Sequence, residues 1–265
     1  MLIGDKLVYI ELHKTGSSHI TKILSSLPSF KNKIYGKHNP FHTIPKSVLT
    51  DFNSKIKIGS IRNPWDWYVS IWAFGCLHRG ALYYALTKTP KLSTVSGLIA
   101  SVSQFKNRVQ WKKVYANSFD PELFRQWLKY ILIEKKNDIG EGYGTSDLSD
   151  FAGLLTYRYL KLFTYNFHVN LRDIVDYENL EDFDKKNNFI DMVIKTENLN
   201  ESLIENASKM GIPTQEIIDI LKHFNDRTNA SERNDYRQYY DGETKELVKE
   251  KERFIIEKYN YNFDN

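Results

Sequence analysis

A single cysteine, Cys76, stands in a chain of 265 residues. That excludes an intrachain disulfide and any metal site built on cysteine. No run of about 18 apolar residues occurs, so no membrane-spanning helix is expected. The first residues lack a basic stretch followed by an apolar one, so no signal peptide is expected, and a cytoplasmic location is the expectation. Internal repeats and low-complexity linkers are absent as well. Charge of one sign is also lacking: 37 Lys and Arg against 33 Asp and Glu leave +4, too mild to argue for a nucleic-acid partner. The balance is uneven, however. The first fifty residues hold seven lysines against Asp5 and Glu11, a local +5, which suits an anionic ligand near the start of the chain. The 41% hydrophobic and 26% charged content belongs to a soluble globular protein, and this length suffices for one large α/β domain with a full core. Tyrosine and phenylalanine raise the aromatic share to 14%, supplying apolar area, with a polar handle on each tyrosine.

The most informative stretch is Val8 to Ile20. Leu7-Val8-Tyr9-Ile10 has the composition of a buried strand. His13-Lys14-Thr15-Gly16-Ser17-Ser18 follows, and then Ile20, Ile23, Leu24 and Leu27 recur at helical spacing until Pro28 stops the pattern. Strand, tight loop and helix N-terminus together make an anion site, most often for phosphate. A Walker A loop places its lysine after the last glycine; here Lys14 precedes Gly16, so this is not the ATP or GTP loop as written. The plain alternative is an ordinary strand-turn-helix with a serine cap.

Further along, Lys31 to Pro45 reads as loop and carries His38 and His42. Lys55 to Ile61 alternates at period two, a second strand, running into Arg62-Asn63-Pro64 and a helix over Trp65 to Leu77. Pro121 to Lys136 reads as an amphipathic helix capped by Asp120. Gly140 to Asp150 reads as a polar surface loop or lid, and Phe151 to Phe163 as a helix. A third strand is expected over Phe189 to Ile194. Helices over Leu199 to Met210, closed by Gly211, and over Thr214 to Phe224 follow, with one long helix over Asp241 to Tyr259. Strands separated by helices predict an α/β fold with a mainly parallel sheet flanked by helices. A single domain over 1–265 is expected, with residues 78–165 as a largely helical insertion on the acceptor side.

Three stretches carry a resemblance: the HKTGSS loop, Arg62-Asn63-Pro64 with Ser70, and the late segment from Asn229 to Tyr240. Their order and content resemble the sulfotransferases that use 3′-phosphoadenosine 5′-phosphosulfate, closest to the carbohydrate-type bacterial branch. Lys195-Thr196-Glu197-Asn198-Leu199 is similar to a strand-end segment of that family. The resemblance implies a P-loop-like fold, a first loop that holds the 5′-phosphosulfate, and no need for a metal. Lys14 would bind the bridging oxygen, and Thr15, Gly16, Ser17 and Ser18 would give N–H groups and hydroxyls to the phosphate. Arg62 and Ser70 would hold the 3′-phosphate, and Ser231 and Arg233 would close over the nucleotide. Chemistry agrees: an arginine fork suits phosphate oxygens, and Ser70 lies roughly one and a half turns into a helix entered at Pro64. The plain alternatives are an ion pair between Arg62 and Asp66, an ordinary helix serine, and a solvated loop.

A hydroxyl acceptor needs a general base. His42 is the first candidate, since Phe41-His42-Thr43 resembles the segment that supplies the base histidine in related carbohydrate enzymes; His38 and Glu11 are rivals. Trp111, Tyr115, Trp127, Tyr130, Tyr143, Tyr157 and Tyr159 would either stack on sugar rings or pack. The expected partner is a small-molecule or glycan acceptor. A nucleotide-dependent kinase and a non-catalytic nucleotide-binding protein of the same fold are the competing readings.

Overall fold

A computed structural model describes residues 1–28, 32–49, 51–87, 107–224 and 232–264. In chain order the elements are β1 (Leu2–Gly4), β2 (Leu7–Ile10), α1 (Ser17–Ser26), β3 (Asn32–Ile34), β4 (Ile56–Ile61), α2 (Pro64–Cys76) and α3 (Ala81–Thr87). Helical residues 107–114 form α4. Then come α5 (Pro121–Lys129), α6 (Leu148–Phe151), α7 (Leu154–Phe163), α8 (Phe167–Asn170), α9 (Tyr177–Asn187), β5 (Met192–Lys195), α10 (Leu199–Asn206), α11 (Thr214–His223), α12 (Gly242–Lys251) and α13 (Arg253–Tyr259). The chain divides into two compact units, each made of two segments. The first is Met1–Asn63 with Leu155–Ala230, and the second is Pro64–Leu154 with Ser231–Asn265. Of residues 78–165, those up to Leu154 fall in the second unit and the rest in the first.

The first unit is α/β. Its five strands run in the order β3-β1-β2-β4-β5. β2, β4 and β5 are parallel neighbours, with Tyr9 opposite Ile58 and Gly59 opposite Val193. β1 is antiparallel to both β2 and β3. The sheet is therefore mixed, not mainly parallel. β1 and β3, three residues each, are too short to show a period of two, and Gly4 and Asn32 are poor strand formers. All four residues of β2 are buried, as in a strand covered on both faces. On one face Leu2, Leu7, Tyr9, Ile58 and Ile194 pack against Ile20, Ile23 and Leu24 of α1, Leu203 of α10 and Ile217 and Leu221 of α11. Each of the three α1 side chains is fully buried, contributing about 1.5–3 kcal/mol. On the other face Gly59 lies under Phe163 of α7: a Cβ there would come within 2.6 Å of the ring. α1 takes Gly16 as its N-cap, in the left-handed region and with no side-chain cap bond, so the serine cap is replaced by a glycine. The third strand begins at Met192, because Phe189 turns aside to pack on Phe41 and Tyr165.

The second unit is helical. α2 buries Trp65, Trp67, Tyr68, Val69, Ile71 and Trp72 around its circumference, the mark of a helix surrounded by protein. It meets α5, α12 and the short turn Tyr236–Tyr239. Asp120 caps α5, accepting from the N–H groups of Glu122 at 2.9 Å and Leu123 at 3.2 Å. α5 does not run to Lys136 as an α-helix; from Tyr130 to Glu134 it widens to a π turn. Nor is the last helix continuous. It breaks at Glu252, which is fully buried and accepts a hydrogen bond from the Tyr68 hydroxyl. A buried carboxylate needs such a partner, and the break directs it inward. No helix among the described residues is long and apolar enough to cross a membrane.

Candidate functional site

Three parallel strands end side by side in the first unit, and their loops are tied together. Thr196, after β5, donates to Ile61 O of β4 from both its N–H, at 2.9 Å, and its hydroxyl, at 2.8 Å. The Asn63 N–H donates to Glu197 Oε1 at 2.6 Å. Arg62 Nη1 donates to Lys14 O, in the loop after β2, at 3.2 Å. The carboxyl edge of parallel strands is where open α/β sheets bind ligands.

The loop after β2 is strongly curled. Lys14 has φ 59° and Gly16 has φ 71°, with Thr15 between them outside the positive region. Backbone that alternates in this way turns successive N–H groups to one side, the geometry of an anion nest. The left-handed region costs a lysine roughly 1–2 kcal/mol, and such strain collects where function demands a shape. Gly16 is required: a Cβ would lie 2.7 Å from Leu199 Cδ1. Thr15 is fully buried. Its hydroxyl donates to Leu12 O at 2.9 Å and is shared with Ser60 Oγ at 2.7 Å, which is shared in turn with the Tyr9 hydroxyl at 2.7 Å. The Thr15 side chain therefore anchors the loop to the sheet, and what it offers an anion is its N–H, not the hydroxyl. Ser17 and Ser18 open α1, and no acidic residue stands in its first turn. Lys37 donates to Ser18 Oγ at 3.3 Å. This second cation beside the loop comes from a polar stretch with no motif to mark it.

His13, His38 and Glu11 accompany the loop, and His42 and His168 form a second stacked pair in the same unit. Glu11 is buried, and both carboxylate oxygens are engaged: Oε2 accepts from the Met1 amino group at 2.8 Å and Oε1 from the Thr21 hydroxyl at 3.2 Å. Its partner is therefore not Lys14, and its engaged oxygens do not suit a base. His38 puts Nδ1 2.7 Å from Glu11 O. A carbonyl only accepts, so this nitrogen carries the hydrogen and the neutral ring keeps its lone pair on Nε2. Burial lowers the pKa of His38. His38 stacks on His13 with ring centres 3.7 Å apart. Burial, then the charges of Arg158, His38 and Lys161, hold His13 well below the usual imidazole range. Arg158, on α7, is itself buried. His42, on the short turn Phe41–Thr43, is exposed and stacks on His168 of α8 at 3.9 Å. Partial desolvation, His168 and Lys161 lower its pKa. Arg158, Lys161 and His168 escaped the sequence reading, because cations in a helical pattern look like any solvated face.

The remaining expected residues belong to the second unit. Ser70 is buried within α2. Asp66 pairs with Arg233. Ser231 lies outside the described residues. Trp111, Tyr115, Trp127, Tyr130 and Tyr143 are buried, as are Tyr157 and Tyr159 in the first unit, so these rings pack and present no stacking face for a sugar. Among the described residues no group of three or more His, Cys, Asp or Glu is placed to hold a metal. No family model, curated protein or solved structure matches the chain.

Proposed function

We propose that the protein is a sulfotransferase of P-loop-like fold that moves a sulfuryl group from 3′-phosphoadenosine 5′-phosphosulfate to a hydroxyl or amine of an acceptor, a carbohydrate or glycoconjugate. The curled loop from Lys14 to Ser17 at the carboxyl edge of the sheet carries this reading. Its N–H groups and the helix N-terminus would hold the 5′-phosphate, and the Lys14 ammonium would meet the bridging oxygen. Arg62, tied to the same loop through Lys14 O, would take the 3′-phosphate.

In the reaction the acceptor oxygen attacks sulfur in line. The bond from sulfur to the bridging oxygen breaks, and the electron pair stays on the departing phosphate. Lys14 and the loop N–H groups stabilise that charge. The acceptor proton goes to a base, and His38 suits that role better than His42. Its Nδ1 is held by Glu11 O, so Nε2 is the accepting nitrogen, and a lowered pKa keeps it neutral at pH 7. The test is transfer of labelled sulfate from the donor to a panel of sugars, with calorimetric titration of adenosine 3′,5′-bisphosphate against ATP. The bisphosphate should bind and sulfated product should form. Preference for ATP would establish the kinase reading instead, and bisphosphate binding without product would establish the non-catalytic one.

A further inference from the structure

Residues 36–43 form a short strap in the first unit, and each of its two histidines is stacked on a histidine from elsewhere. At one end His38 lies on His13, from the loop after β2, with ring centres 3.7 Å apart and 18° between the planes. At the other end His42 lies on His168 of α8, at 3.9 Å and 26°. Further grips lie beside the stacks. Lys37 Nζ donates to Ser18 Oγ at 3.3 Å, His38 Nδ1 is 2.7 Å from Glu11 O, and the Phe41 ring sits 4.8 Å from Tyr165 and 5.0 Å from Phe52. The backbone turns through φ 51° at Gly36 and φ 57° at His38, an uncommon region for a histidine. The strap is thus held by what its side chains grip. Neutral rings pack in such stacks. Two imidazolium rings at the same distance repel, so a stack accepts its second proton only by parting. The surrounding charges act in the same sense. Arg158, His38 and Lys161 act on His13, Arg158 and the Met1 amino group on His38, and His168 and Lys161 on His42; Glu11 opposes them at His38.

We propose that residues 36–43 are an acid-released strap, closed by two neutral histidine stacks and opened when like charge parts them. At neutral pH the stacks hold the strap against the loop after β2 and against α8. As pH falls, a second proton entering a stack drives its rings apart and frees that end. The strap then lifts, withdrawing Lys37 from Ser18 and His38 from Glu11 O. The parted form takes up protons that the closed form refuses, so release grows as pH drops below the ordinary imidazole value of 6.5. That release also stops turnover, by removing the base, rests on the transferase reading; the strap itself does not.

The test is amide hydrogen exchange of the full chain, read residue by residue by NMR at pH 7.5 and 5.0 and corrected for the intrinsic rates. Protection over 36–43 should fall by about tenfold or more at the lower pH while β4 keeps its own. Phenylalanine keeps a ring in the stack but takes no proton, and it attracts an imidazolium opposite it. His168→Phe should therefore hold residues 41–43 closed at pH 5.0, and His13→Phe should hold 36–39. His168 stands in solvent, so its variant decides even where His13→Phe unfolds. Equal protection at both pH values, an equal loss in β4, or a His168→Phe variant that releases 41–43 as the parent does would overturn the proposal. Sulfated product is assayed in parallel. Release at pH 5.0 with no product at any pH would sink the transferase reading and leave the strap standing; product at pH 7.5 without release would do the reverse.

Discussion

The first unit holds two stacked histidine pairs that differ in almost everything but their stacking. His13 and His38 are sheltered, and a backbone carbonyl fixes the His38 tautomer. His42 and His168 stand in solvent on an aromatic mount. Burial and a pinned Nδ1 turn an imidazole into a directional acceptor at neutral pH. An exposed imidazole keeps both ring faces and its second nitrogen open to water. The same residue type thus meets two environments, set by what holds the ring and how much water reaches it.

The largest expected effect separates the pairs directly. His38→Asn keeps a residue that tolerates the left-handed backbone at φ 57°. It should lower turnover by about 10²–10⁴, the usual contribution of a positioned base, with bisphosphate affinity unchanged. His42→Asn should leave turnover near parent. Steady-state kinetics on both variants decides; the reverse pattern would restore His42 as the base. Next in size is Lys14→Ala, which should cost about 10²–10³ in turnover by removing a stabiliser of the leaving charge. An equal loss in a His38→Asn background would mean that loop and base act independently.

A smaller effect concerns pH. His13 and His38 both have folded pKa values below the ordinary imidazole value of 6.5, chiefly through burial. Below that value the unfolded chain takes up protons that the folded chain refuses, so stability falls as pH drops from the ordinary value toward the depressed ones. The melting temperature should therefore decline from pH 7.5 to 5.5, and less steeply in His13→Phe. A pH-independent melting temperature would contradict the buried, neutral state of the pair. The acid limb of kcat/KM should lie below 6.5 for the same reason, since the protonated ring cannot accept a proton.

Period and composition made the centre of the sheet legible: Leu7–Ile10 and Ile56–Ile61 form where alternation and apolar runs predict them, and Pro64 opens α2. Three-residue strands escaped, because pairing with β2, not local propensity, makes Leu2–Gly4 extended. The break at Glu252 escaped because a glutamate in a charged helical run reads as solvated, whereas here it turns inward to Tyr68. The curl of the loop at Lys14 and Gly16 was legible from its small residues. The fate of each hydroxyl and carboxylate was not: Glu11, Thr15 and Asp66 were each read as facing a ligand or a nearby cation, and each is held by a partner that the fold brings in.

Thr15 gives the smallest and sharpest test of that distinction. Val replaces it at nearly the same volume and keeps the N–H that would face the phosphate. What goes is the hydroxyl that joins Leu12 O to Ser60 and, through it, to Tyr9. Leaving those buried partners short of one hydrogen bond costs about 1–3 kcal/mol, a fall of roughly 2–4 °C in melting temperature per kcal/mol at this size. Bisphosphate affinity should change by less than about threefold, because the donor meets backbone at this position. Ser60→Ala should show the same pattern, and the double variant should cost less than the sum, since both remove one shared bond. If Thr15→Val instead weakened bisphosphate binding tenfold with its melting temperature intact, the hydroxyl would have to leave Ser60 for the ligand. The loop would then rearrange on binding rather than stand ready for it.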